Sequence, residues 1–223
     1  MDVVEAITTR RAVRAFLPTP VPRETVERLL ALAAQAPNGS NIQPWRVWVV
    51  AGEARRRLSD KILAAHAADD PAYREEYAYY PLEWTEPYLG RRRKLGKDLY
   101  GLLGIAKGDQ AAMKAQFGRN YVFFDAPVGL FVTIERSMEQ GGWIDLGAFL
   151  QTFCLAARGH GLHTCPQQAF AQYHHLIRGE LGIPEDQIVA FGIALGHADP
   201  EATVNRLVPD RETVGAFATF RWE

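Results

Sequence analysis

The chain has 223 residues, 48% of them hydrophobic, which fits one compact α/β or α+β domain rather than two. Its 25 lysines and arginines are balanced by 26 aspartates and glutamates, a formal charge of -1, so no basic excess drives generic nucleic-acid binding. No apolar run reaches the roughly 18 residues of a transmembrane helix.

The N-terminus, Met1-Asp2-Val3-Val4-Glu5, is acidic and helix-like, without signal-peptide character. Residues 2–9 read as a short helix leading into Arg10-Arg11-Ala12-Val13-Arg14-Ala15-Phe16. Pro18, Pro20 and Pro22 then break the chain, and Pro22 suits a first helical position, where its missing N–H costs nothing. Val26, Leu29, Leu30 and Ala33 recur at helical spacing and mark one buried face, and Pro37 ends that helix near Ala36. Val47 to Val50 is a β-prone run stopped by Gly52, and Glu53 to about Ala68 reads as a second helix. Residues 69–108 carry Tyr73, Tyr77, Tyr79, Tyr80, Trp84, Tyr88 and Tyr100 among prolines, glycines and the run Arg91-Arg92-Arg93-Lys94. Two readings stand side by side: a solvated insertion with docked aromatics, or a lid over a flat substrate. Pro127 to Ile134 reads as a buried strand. Trp143 to about Ala157 reads as a helix apolar on most faces, which asks for burial on most faces, in the centre of the molecule or under a second subunit. Ile188 to Leu195 is a further strand ended by Gly196, and the apolar, β-prone tail Ala216 to Trp222 is expected to dock on something.

Four constellations could carry chemistry. Arg10 and Arg14 lie four apart and on a helix end would share a face with forks that match phosphate oxygens; a solvated basic helix end has the same sequence. Residues 37–45, Pro-Asn-Gly-Ser-Asn-Ile-Gln-Pro-Trp, join a helix to a strand and hold Asn38, Ser40, Asn41 and Gln43, which both donate and accept, with Gly39 allowing close backbone approach. Such a mixture suits the edge of a heteroaromatic ligand, and an ordinary turn is the alternative. Thr164 to Phe170 lies where a strand should run; its Cys165 has no histidine arranged in sequence to activate it and reads as structural. Gly192 to Gly196, followed by Asn205-Arg206, ends a strand and offers a cation, and it is not a Rossmann fingerprint. Cys154 and Cys165 form no Cys-x-x-Cys pair, and two thiols without an export signal point to a reducing cytoplasm and no disulfide. Six histidines show no metal-ligand spacing, so no metal is expected.

The order and spacing of Arg10 to Phe16, Ala36 to Trp45, and Gly192 to Gly196 with Asn205-Arg206 resemble the nitroreductase superfamily of FMN-dependent oxidoreductases, from about residue 5 to residue 210. The 37–45 sequence looks most like the nitrobenzoate and nitroaromatic reductase branch. The resemblance implies an α+β fold, a mixed, mainly antiparallel sheet flanked by helices, as one domain over residues 1–223. It also implies an intertwined homodimer with FMN at the interface and residues 210–223 lying across the partner. By position it assigns Arg10, Arg11, Ala12 and Arg14 to the phosphate and ribityl end of FMN, with Arg206 closing the phosphate. Pro37, Asn38, Gly39, Asn41 and Gln43 would reach the flavin from the other subunit. Pro166, Gln167 and Gln168 would line its ring near N5, and Arg119 is a polar contact before the strand at 127–134. Trp84, Tyr88 and Trp143 are candidate substrate contacts. Ala12 replaces a serine found in many members, Gln168 stands where some carry glutamate, and Thr203 and Val204 occupy the place of a usual basic residue. The implied reaction is ping-pong: NADH or NADPH gives a hydride to flavin N5, leaves, and is replaced by a nitroaromatic acceptor, with no protein acid or base named. A quinone or activated-alkene reductase, or a flavin-binding electron carrier without a specific substrate, is the alternative.

Overall fold

Alternate side chains of one strand build two cores. In a computed structural model describing residues 1–222, strand β2 (Val128–Glu135) is buried along nearly its whole length. Val128, Leu130, Val132 and Ile134 enter one hydrophobic cluster while Phe131 enters the other, as the two-residue period of a strand requires. The sheet order is β1-β2-β4-β3, with β1 at Arg46–Ala51, β3 at His163–Gln167 and β4 at Gln187–Gly196.

Helices cover both faces. Helix α1 spans Val3–Thr9, α2 Arg23–Ala33, α3 Gly52–Ala68, α4 Tyr88–Leu102, α5 Gln110–Gly118, α6 Gln140–Gly159, α7 His174–Leu181 and α8 Val214–Phe217. Val26, Leu29 and Ala33 of α2 join Leu146, Phe149, Phe153 and Ala157 of α6 on one face. Leu58 and Ile62 of α3, Ile177 of α7, and the aromatics Tyr121, Phe123, Phe124, Phe170 and Tyr173 fill the other.

The α+β architecture agrees with expectation, with one correction. Every pairing between the named strands is antiparallel, so the sheet is not mixed. The parallel component shrinks to an isolated bridge between Ala12 and Thr164, because Pro18 and Pro20 follow too closely for residues 10–16 to run on as a strand. Residues 216–222 form no strand in this chain; α8 takes Val214–Phe217, and Phe217, Phe220 and Trp222 are exposed. Helix α6 is longer than the expected 143–157 and carries Ile144 exposed on the face this chain leaves open. No described helix is long and apolar enough to cross a membrane.

Candidate functional site

Helix α1 ends at Thr9, and Arg10 is already extended, at φ -64° and ψ 125°. Arg10 to Arg14 is therefore no helix end, contrary to the expectation. The segment lies against the sheet: Val13 N donates to the Thr164 carbonyl (3.1 Å), and Leu17 N to that of His197 (2.8 Å). In extended backbone, alternate residues share a side, so Arg10 and Arg14 lie on one side for a different reason. Both charges act on Cys165, whereas that of Arg11 acts on His163.

Asn205 joins this segment to the distant Arg206. Its side-chain oxygen accepts from Arg14 N (2.8 Å), and its amide donates to the carbonyls of Ala15 (2.8 Å) and Asp199 (2.9 Å). It is 6% exposed, so these bonds are shielded from water. Asn205 thereby sets the short turn Thr203–Arg206 beside the arginine segment. Among the described residues, Arg10, Arg11, Arg14 and Arg206 pair with no carboxylate. Guanidinium groups without a carboxylate partner are available to an anionic ligand. Arg119 behaves differently: its fork grips Asp125 through two bonds of 3.1 and 2.5 Å.

The 37–45 loop is built with its polar groups outward. Asn38 closes it, accepting from Gln43 N (2.9 Å) and donating to the Ala36 carbonyl (3.2 Å). Asp145 of α6 accepts from Gly39 N at 3.2 Å, and Trp45 stacks on Phe149 with ring centroids 5.0 Å apart. Ser40, Asn41 and Gln43 have left-handed φ values of 48°, 57° and 48°. Three such non-glycine residues in a short loop mark stored strain, the kind that accompanies binding surfaces. Gly39 to Gln43 are exposed, and Pro37 with them. Asp145 was missed from sequence; its signal was a lone carboxylate in an apolar helix.

Strand β3 carries the third group. Gln167 is 2% exposed and donates through Nε2 to the carbonyl of Asn120 (2.8 Å), while its Oε1 is buried without a partner, as is the Thr164 hydroxyl. An unpartnered buried acceptor is costly unless a bound molecule donates to it, which fits a ring carrying N–H groups. Gln168 donates to Glu75 Oε1 (3.2 Å). Burial pushes the Cys165 thiol up to about 12, so it is no nucleophile, and both cysteines are free. Burial, helped by Arg158 and Arg11, pushes His163 down to about 4. Among the described residues no acidic, histidine or cysteine cluster could hold a metal.

The glycines of the fourth constellation serve packing. A Cβ on Gly192 would lie 2.5 Å from the Phe170 ring, and one on Gly196 would lie 2.7 Å from Pro127. The aromatic candidates split into two groups. Trp143 packs on Tyr77 at 4.7 Å, whereas Trp84 packs on Tyr80 at 5.2 Å beneath the Arg92 guanidinium, and Tyr88 is exposed beside Arg91. An open cavity of about 520 Å³ lies along α4, lined by Lys97, Asp98, Arg206 and Leu207 among others. Lys97 has no sequence signature of its own as a lysine in a charged helix, and its place beside Arg206 is visible only in the fold.

Comparison with known proteins gives the family. The nitroreductase family matches over residues 7–197. A 4-nitrobenzoate reductase of Pseudomonas putida is 41% identical over 219 residues, spanning 98% of this chain and 95% of that protein. A chloronitrobenzene nitroreductase of Comamonas testosteroni is 39% identical over 216 residues, 97% of this chain and 95% of that one. The crystal structure of the FMN and NADPH-dependent nitroreductase NfnB from sphigopyxis sp. strain HMH superimposes with a TM-score of 0.96 at 40% identity, covering 100% of both chains.

Proposed function

The chain belongs to the nitroreductase family, and from that premise we propose that it is an FMN-dependent enzyme that oxidises NAD(P)H and reduces nitroaromatic compounds. The observation that carries the reading is the set of arginines, Arg10, Arg11, Arg14 and Arg206, left without carboxylates, with Asn205 tying the segment of the first three to the turn that bears the fourth. They hold the cofactor phosphate. Lys97, which shares a cavity with Arg206, supplies a cation where Thr203 and Val204 leave none. Pro166, Gln167 and Gln168 line the ring, with the free Oε1 of Gln167 accepting from it. When bound, FMN supplies hydride transfer between nicotinamide and acceptor, and the protein supplies binding and orientation.

The same reading places the site between two copies of the chain. Residues 39–43 turn outward, Ile144 of α6 is 74% exposed and Trp222 of the tail 88% exposed, so apolar surface that this chain leaves uncovered would be buried in a homodimer. Asn38, Gly39, Asn41 and Gln43 then reach the flavin of the partner, and residues 69–108 form the pocket wall, with Trp84, Tyr88 and Trp143 against the acceptor. Two free, buried thiols suit a reducing cytoplasm. Anaerobic NADPH oxidation with and without 4-nitrobenzoate tests the activity. The proposal requires oxidation that depends on the nitro compound; oxidation indifferent to it would overturn the substrate class.

A further inference from the structure

A carboxylate of the 69–108 segment meets the end of β3. Gln168, at the end of β3, is a neutral amide, and it donates from Nε2 to Glu75 Oε1 at 3.2 Å. Glu75 itself is exposed, and an exposed glutamate is ordinarily free to wander. Here both following residues are pinned. Glu76 is 11% exposed and meets Arg178 at 3.3 Å, Val189 N at 3.3 Å and Arg136. His174 Nδ1 lies 3.4 Å from the same carboxylate. Tyr77 donates its hydroxyl to the Ala190 carbonyl and packs on Trp143. Three successive side chains thus tie the root of the segment to the end of β3, to α7 and β4, and to α6. Such a root fixes the backbone at Glu75 and holds its side chain within reach of one partner.

We propose that Glu75 is a positioning residue for the flavin site: it orients the Gln168 amide and places a negative charge behind it. The inference rests on the FMN reading above. Coulomb repulsion makes adding electrons to a nearby cofactor harder, so the charge lowers the flavin reduction potential. Because Glu75 is exposed, its influence fades as salt screens it.

The test is the midpoint potential of the bound flavin in the holoenzyme, measured anaerobically against a reference dye. In Glu75→Gln the potential is expected to move to a more positive value, with the larger shift at low ionic strength. The double variant Glu75→Gln, Gln168→Glu moves the carboxylate across the same hydrogen bond and should bring the potential back toward that of the wild type. A purely structural role would leave the potential unmoved. A yellow protein whose potential ignores both changes overturns the role of Glu75 alone. A wild-type protein that stays colourless after reconstitution with FMN overturns the cofactor reading and this role with it.

Discussion

At the scale of single residues, the site is a matter of charges left without partners. Removing one guanidinium from the phosphate end, by Arg10→Ala or Arg206→Ala, is expected to cost about 1.5–3 kcal/mol of FMN affinity, a loss of roughly ten- to a hundredfold in Kd. Fluorescence titration of the apoprotein with FMN reads this directly, and unchanged affinity in both variants would refute the phosphate assignment. His163 makes a different prediction. Its folded-state pKa, about 4, lies below the ordinary 6.5, so the unfolded chain binds a proton more readily. Its contribution to stability is therefore complete above pH 6.5 and is lost as pH falls toward 4. Burial also lowers His174, so part of that loss is shared. The fall in Tm across this window should be shallower in His163→Gln, and a curve as steep as that of the wild type would show that His163 is not responsible. Arg10, Arg11, Arg14 and Arg206 were legible in sequence as cations in a known order. Asn205 was legible only as the neighbour of Arg206: the bonds it makes 190 and 191 positions away depend on the fold, which no local pattern encodes.

At the scale of elements, periodicity located most of what the sheet and its covering helices use. Helix α2 announced itself because it buries a regular face, and strand β2 because it is a short continuous apolar run buried on both faces. Helix α4 did not, because it buries no residue fully; its sequence is dominated by Arg91, Arg92, Arg93, Lys94 and Lys97, and no apolar stripe betrays it. Exposed pairs tie it to the chain after β4, Arg91 to Glu212 at 2.7 Å and Lys94 to Asp210 at 2.9 Å, and such pairs contribute little each. The Arg10–Arg14 segment was misread as helix because four-residue spacing of like residues fits a helix face and an extended side equally well. The Gly192 motif had a physical reason invisible in one dimension. Phe170 lies across Gly192, and Gln168 sits in the same turn, Gln168–Tyr173. Gly192→Ala should overpack this contact and lower stability by about 1–3 kcal/mol. Denaturant unfolding measures it, and a variant as stable as the wild type would show that Phe170 can yield.

At the scale of the whole molecule, one chain leaves its apolar surface and its strained loop facing outward. Phe217, Phe220 and Trp222 are exposed at the C-terminal end, Val3, Val4 and Ile7 on α1, and Ile144 on α6. A homodimer is the expected state in solution, and sedimentation or light scattering of the holoprotein should give twice the 24.9 kDa of the chain. Asn41→Ala is expected to weaken FMN binding through the partner's site, whereas a stable monomer that binds FMN fully would contradict a shared site. Electrons are expected to pass through this site in two separate half-reactions. The most direct measurement is the visible flavin absorbance of the anaerobic holoenzyme, followed through sequential additions. NADPH alone should bleach it; after removal of excess nicotinamide, 4-nitrobenzoate alone should restore it. Absorbance that NADPH leaves unchanged, or that the nitro compound does not restore, would contradict the account.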